Sequence, residues 1–241
     1  LEGALNALLE THRSTDILLE ANLREKLSQY KLLVVPEQTN LSPLVVGVLK
    51  AWVEDGGKLL MSGSDLSRSV PDLVGCCPVG DCDNRTVMLA VGNETAQMSG
   101  EWQAVEPREG TVAVMCGVRN LEPDMPVAGD VLVTRTERGA GAVVAVHGPL
   151  FRNYFCAHFP RIRSLIAQLV SSLDIDWTVT LDASPRVEMI QRRNGGSDYI
   201  HLLNRGAGET LSPERTIIEE LPPVKDIRLD IVCPAEPASV R

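Results

Sequence analysis

Few residues of this 241-residue chain combine the types and positions that chemistry needs. Ser64, Asp65 and His147 supply a hydroxyl, a carboxylate and an imidazole, the parts of a hydrolytic relay in which the ring takes the hydroxyl proton. Glu37 and Asp65 supply two carboxyls, and glycoside cleavage needs a pair held about 5 to 10 Å apart across a sugar. Each set has a plainer reading. A single histidine closing a strand is more often structural, and Glu37 and Asp65 suit the capping of helices or loops, with Asp65 placed to N-cap the turn after it. The six cysteines are Cys76, Cys77, Cys82, Cys116, Cys156 and Cys233. Their spacing does not match paired C-x2-C zinc sites and no histidine lies close in sequence, so they read as reduced thiols, with no metal and no cofactor. Trp102, in the polar run Gly100-Glu101-Trp102-Gln103, reads as exposed and is the aromatic to consider for sugar contact.

The elements that must position these residues centre on Lys31 to Gly63. Leu32 to Val35 and Leu59 to Met61 are short apolar runs that read as buried strands. Between them Ser42 is placed as N-cap, Pro43 as the first helical residue, and Val45, Val48, Leu49 and Trp52 as one apolar face ended by Gly56-Gly57. Strand, crossover helix and strand commit the domain to an open α/β sheet. Ligands of such sheets bind beyond the strand carboxyl ends, which here are Pro36 to Thr39, Ser62 to Asp65 and His147 to Pro149.

Elsewhere the pattern predicts a helix over Leu1 to His12, a strand over Asp16 to Leu19, and a helix opened by an Asn22 and Glu25 capping box. A packed first helix and a chain without an initial Met suggest that a leading strand and the native start lie outside the sequence. Short β-like runs at Thr86 to Val91, Thr111 to Val118 and Val131 to Thr136 read as an antiparallel insertion, about residues 76–138. Gly139 to His147 returns to a buried strand. The stripe Ile162, Leu165, Ile166, Leu169, Val170 and Leu173 then closes an α/β domain over residues 1–173. Residues 174–241 read as a small all-β module, too thin to stand alone, with a hairpin at Asn194-Gly195-Gly196 and a strand over Val224 to Val232, where Ile227, Leu229 and Ile231 alternate.

Composition excludes several roles. A net charge of -9 without a basic cluster argues against nucleic acid, and no apolar run approaches the roughly 20 residues of a membrane helix. With no signal pattern, the expected compartment is the cytoplasm. His12 and His201 read as half-buried packing residues. Asn84-Arg85-Thr86 and Asn93-Glu94-Thr95 match glycosylation acceptors, a tripeptide common by chance.

The segments ALNALLE, DILLE, YKLLVVPE, VEDGGKLLMSG, GAGAVVAVHG and FPRIRSLIAQLVSSL together resemble the β-galactosidase trimerisation domain that follows the catalytic barrel of certain glycoside hydrolases. VEMIQRRNGGSDYIHLLNR resembles the small β-sandwich that ends such enzymes. Ser64 to Arg138 carries none of the resemblance. The resemblance implies a class I glutamine amidotransferase-like, flavodoxin-related fold and a non-catalytic accessory or oligomerisation region of a glycoside hydrolase. Its partners would be its own barrel and identical subunits, and it would meet carbohydrate through the parent enzyme. A class I amidotransferase would place a cysteine on the turn after a strand and a glutamate two residues beyond its histidine. This chain has Ser64 at the turn and Gly148-Pro149 after His147, so that chemistry lacks its nucleophile and its working base. Two alternatives stay open: a hydrolase using the Ser64 and His147 edge, and a carbohydrate-binding module on the insertion or the C-terminal strands. Three Trp, three Tyr and three Phe, nine aromatics in all, are few for the second.

Overall fold

The computed structural model describes residues 1–38, 40–117, 129–206 and 222–233; Thr39 and Val118, included above in a strand end and a strand, lie outside them. The chain forms two compact units, Leu1–Ala4 with Ile17–Ile175, and Leu5–Asp16 with Asp176–Arg241. Helix α1 (Glu2–Glu10) belongs in part to each.

In the first unit, α2 (Glu20–Lys26) and a 3-10 turn (Leu27–Gln29) lead to strand β1 (Leu32–Pro36), helix α3 (Pro43–Glu54) and strand β2 (Lys58–Ser62). The Val45 N–H donates to the Ser42 hydroxyl at 3.3 Å, as the sequence predicts for an N-cap. The far end of α3 closes as a Schellman motif: Gly56 N–H donates to Val53 O and Gly57 N–H to Trp52 O, both at 2.9 Å. Val45, Leu49 and Val53 are buried, with Val48 and Trp52 half-buried against them.

Next come α4 (Leu66–Ser69), α5 (Pro71–Val74), and strands β3 (Cys76–Pro78), β4 (Asp83–Val91), β5 (Glu94–Trp102), β6 (Val105–Pro107), β7 (Thr111–Cys116), β8 (Val131–Arg138) and β9 (Gly141–Val146). Helices α6 (Leu150–Ala157) and α7 (Pro160–Ser171) complete the unit. The main sheet is mixed, in the order β1-β2-β9-β8-β7. β1, β2 and β9 run parallel, while β8 joins β9 through a tight hairpin, Arg138 opposite Gly141, and is therefore antiparallel. The last strands of the expected insertion thus extend the main sheet. β3 pairs with β6, and β4 with β5, as separate antiparallel ladders. All six residues of the α7 stripe are buried.

Two expectations need correction. Asp16 to Leu19 has no regular secondary structure. Ile17 and Leu19 stay 54% and 65% exposed while Leu18 packs on the core, and among the described residues β1, the terminal strand of the sheet, has no ladder partner there. Asn22 falls inside α2 because the helix already begins at Glu20, whose charge suits a helix N-terminus.

In the second unit, β10 (Val179–Asp182) pairs with β13 (Arg228–Ile231), and β11 (Val187–Asn194) with β12 (Ser197–Asn204), both antiparallel. Asn194 faces Ser197 across a two-residue turn whose Gly195 and Gly196 take φ of 57° and 83°, the positive values that a tight hairpin of this twist requires. The strand predicted over Val224 to Val232 is shorter, confined to β13. His12 is buried, with Nδ1 2.9 Å from Val187 O and Nε2 3.0 Å from Ala183 O, and Arg13 lies 4.2 Å above the Trp177 ring.

Candidate functional site

The parallel register sets Pro36, Ser62 and Val146 in one row, so Glu37, Gly63 and His147 follow together at the strand carboxyl ends. The row is tied by Glu37 N–H to Ser62 O at 2.7 Å and Gly63 N–H to Val146 O at 3.0 Å. This is the edge where an open α/β sheet receives ligands.

Glu37 turns inward. It takes φ of 40°, unusual for a side chain with a Cβ, and its Oε1 accepts from the Ser62 hydroxyl and from Phe151 N–H at 2.8 Å. Burial pushes its pKa up, while Ser62 and the Phe151 and Arg152 N–H groups pull the other way. Glu37 is thus a cap on α6, a helix the sequence reading missed. Gly148-Pro149 before it and Pro160 after it are the punctuation that marks an eight-residue helix. Asn153 fixes α6 to β5: its Nδ2 donates to Pro149 O and Ser99 O, and its Oδ1 accepts from Ser99 N–H.

His147 is fully buried. Its Nε2 lies 3.0 Å from Thr134 Oγ1 and 3.6 Å from Cys76 Sγ, and Nδ1 has no partner among the described residues. Burial lowers its pKa to about 4, so the ring is neutral at pH 7. No hydrogen bond links Ser64 or Asp65 to His147 among the described residues. The Ser64 carbonyl instead accepts from the Cys82 thiol at 3.6 Å. Asp65 stands at the N-cap of α4, yet its side chain makes no capping bond; its carbonyl accepts from Arg68 and Ser69 N–H. The Asp65 carboxylate therefore does not cap α4, contrary to the sequence expectation.

Spacing along the sequence gives no sign that the Cys76 thiol lies beside His147, since 71 residues separate the two. Burial, with the Cys77 sulfur adding to it, pushes its pKa up to about 12, so it stays a neutral thiol. A second unforeseen cluster surrounds Arg68, which donates to Gly80 O at 2.8 Å, to Cys82 Sγ at 3.3 Å and to Gln103 Oε1. Among the described residues, no group of three or more His, Cys, Asp or Glu is arranged to hold a metal.

Trp102 is the clearest correction, because it is fully buried rather than exposed. Its ring lies on Gly148, where an added Cβ would come within 2.2 Å of it, so a larger residue at 148 would displace the indole. The sequence did hold the signal: Ala96, Met98 and Trp102 recur at even spacing along β5, and all three are buried. Polar neighbours pointed to an exposed side chain, whereas the strand period put the indole inside.

No family of known proteins matches this sequence, and none of the curated proteins does. Solved structures do match. A β-galactosidase from Bacillus circulans sp. alkalophilus aligns with 85% of this chain and 31% of its own, at 15% identity and TM-score 0.63. Alpha-L-fucosidase isoenzyme 2 from Paenibacillus thiaminolyticus aligns with 96% of this chain and 38% of its own, at 16% identity and TM-score 0.66. The cytoplasmic protein STM1381 from Salmonella typhimurium LT2 aligns with 71% and 86%, at 11% identity and TM-score 0.55. The chain therefore spans under a third of the length of the β-galactosidase it matches, and it is similar in fold to one part of such glycoside hydrolases.

Proposed function

We propose that this chain is a non-catalytic accessory region of a larger glycoside hydrolase, and that the barrel with the two catalytic carboxylates belongs to another part of the same polypeptide. The observation that carries this reading is the extent of the likeness: 85 to 96% of this chain aligns with only 31 to 38% of each enzyme. The two enzymes are named for different sugars, which favours a shared part that does not choose the substrate. In this reading the first unit is a flavodoxin-related, amidotransferase-like domain of the β-galactosidase trimerisation kind, and the second is part of a terminal β-sandwich. Its work is to pack against its own barrel and against identical subunits, in the cytoplasm.

The strand-end chemistry supports an accessory role. Ser64 occupies the position where an amidotransferase needs a thiol, and His147 is neutral, buried and engaged with Thr134 and Cys76. Six free thiols suit a reducing compartment.

The test begins with the gene. The reading expects the open frame to continue upstream into a barrel-encoding segment, and expects the longer product, but not this chain alone, to cleave a nitrophenyl glycoside. A frame that starts at Leu1, or full activity from this chain alone, contradicts it.

A further inference from the structure

Strand β1 is apolar on both faces, as β2 and β9 are, yet it is the terminal strand of the sheet. Its burial reflects this: Leu32, Leu33 and Val34 are half-buried, whereas β2 is buried from Leu59 onward and β9 throughout. Backbone groups alternate sides along a strand, and Glu37 N–H is bonded to Ser62 O. The N–H groups of Leu33 and Val35 therefore also turn to β2, and those of Leu32 and Val34 turn outward. Among the described residues no strand meets that outer edge. At its far end the edge closes itself, since Pro36 has no N–H and its carbonyl accepts from Gln38 Nε2 at 3.2 Å.

Two segments indicate what fits there. The Asp16 to Leu19 run enters α2 in extended form, with Leu19 at φ -88° and ψ 148°, and leaves Ile17 and Leu19 exposed. The start of α1 is held beside the end of β1: a Cβ at Gly3 would collide with Phe151 O, and Phe151 N–H is bonded to Glu37, the residue after β1. Polypeptide that enters α1 through Leu1 therefore arrives at the carboxyl end of the parallel strands, where a strand running parallel to β1 finishes.

We propose that the outer edge of β1 is the docking site of a parallel strand from the polypeptide just upstream of Leu1. In a doubly wound sheet of strand order 2-1-3-4-5 the first strand lies between the second and the third. The upstream strand takes the first place, Asp16 to Leu19 the second, and β1, β2 and β9 the third to fifth, in their observed order. Helix α1 is then the helix that follows the first strand. The strand's chemistry is set by its place: a run of about five aliphatic residues without charge, covered on both faces and ending about two to six residues before Leu1. Of the accessory reading it needs only that the polypeptide continues upstream of Leu1.

The test extends this chain by about 20 of its own upstream residues. The extended protein should melt about 5 °C or more above the original chain. The ratio of Val34 to Val35 amide exchange rates should fall about 100-fold, because Val34 N–H gains a partner and Val35 N–H already has one. The same extension with its apolar run changed to Gly and Ser should do neither. An unchanged ratio in the native extension overturns the proposal, as does an equal effect of the Gly-Ser extension. A ratio already low in the original chain at high concentration, and rising on dilution, gives the edge to a second copy and also overturns it. If the original chain does not fold, the native extension must restore folding and the Gly-Ser one must not. A frame that begins at Leu1 ends both this proposal and the accessory reading. A frame that continues without a barrel ends only the accessory reading, and an unchanged ratio with a barrel upstream ends only the docking strand.

Discussion

Strands β2 and β9 of the first unit and the hairpin β11–β12 of the second draw on the same apolar residues, yet they use them differently. Every residue of β9 and four of five in β2 are buried, as befits central parallel strands covered on both faces. In β12 no residue is buried, and Tyr199 and Leu203 remain 48% and 44% exposed on the face they share with Ile190. A continuous apolar run writes β2 and β9, whereas alternation writes the hairpin. In the hairpin the burial stops at Val187 and Met189 of β11 and does not reach β12, so stability should concentrate in the first unit.

The contrast is tested most strongly by truncating one leucine in each region. Leu60→Ala, in the middle of β2, should cost about 2 to 5 kcal/mol in urea unfolding, whereas Leu203→Ala should stay within about 0.5 kcal/mol. Equal costs would break the comparison.

Next in size is an acid effect centred on His147. Its folded pKa, about 4, lies below the ordinary 6.5, so the unfolded chain binds the proton first as pH falls. Its contribution is therefore complete above about pH 6.5 and lost on the way down to about pH 4, with a ceiling near 3 kcal/mol. Unfolding free energies measured across that window should show the slope in wild type and a flatter profile in His147→Asn. Glu37 acts in the opposite sense: a raised carboxyl pKa means the folded state gains stability as pH falls through that pKa, and Glu37→Gln should remove this gain.

A smaller effect should follow from Gly148→Ala, whose Cβ meets the Trp102 ring. A loss of about 1 to 3 kcal/mol is expected, partly recovered by adding Trp102→Phe. An additive double variant would mean that the two residues do not share the space.

What the sequence revealed divides along physical lines. β1, α3, β2, α7 and the Asn194-Gly195-Gly196 hairpin were legible because caps, glycine stops and periodicity act within a few residues of each other. The mixed order of the main sheet was not, since nothing local states that β8 joins the free edge of β9. The site was legible only as a location. Parallel register brings Glu37 and His147 to the same row, but Cys76 and Thr134 reach His147 from 71 and 13 residues away. Trp102 was misread because its polar neighbours were weighed above the alternation of Ala96 and Met98. Asp16 to Leu19 was misread for the reverse reason, an apolar run without a partner strand.

The most direct test of the accessory reading is the solution mass of the purified chain by light scattering over a range of concentrations. An assembly region predicts two or three times the 26.2 kDa of one chain, with the interface then open to mapping. A constant 26.2 kDa for this chain, together with a single-copy mass for the longer polypeptide, contradicts subunit packing as its work.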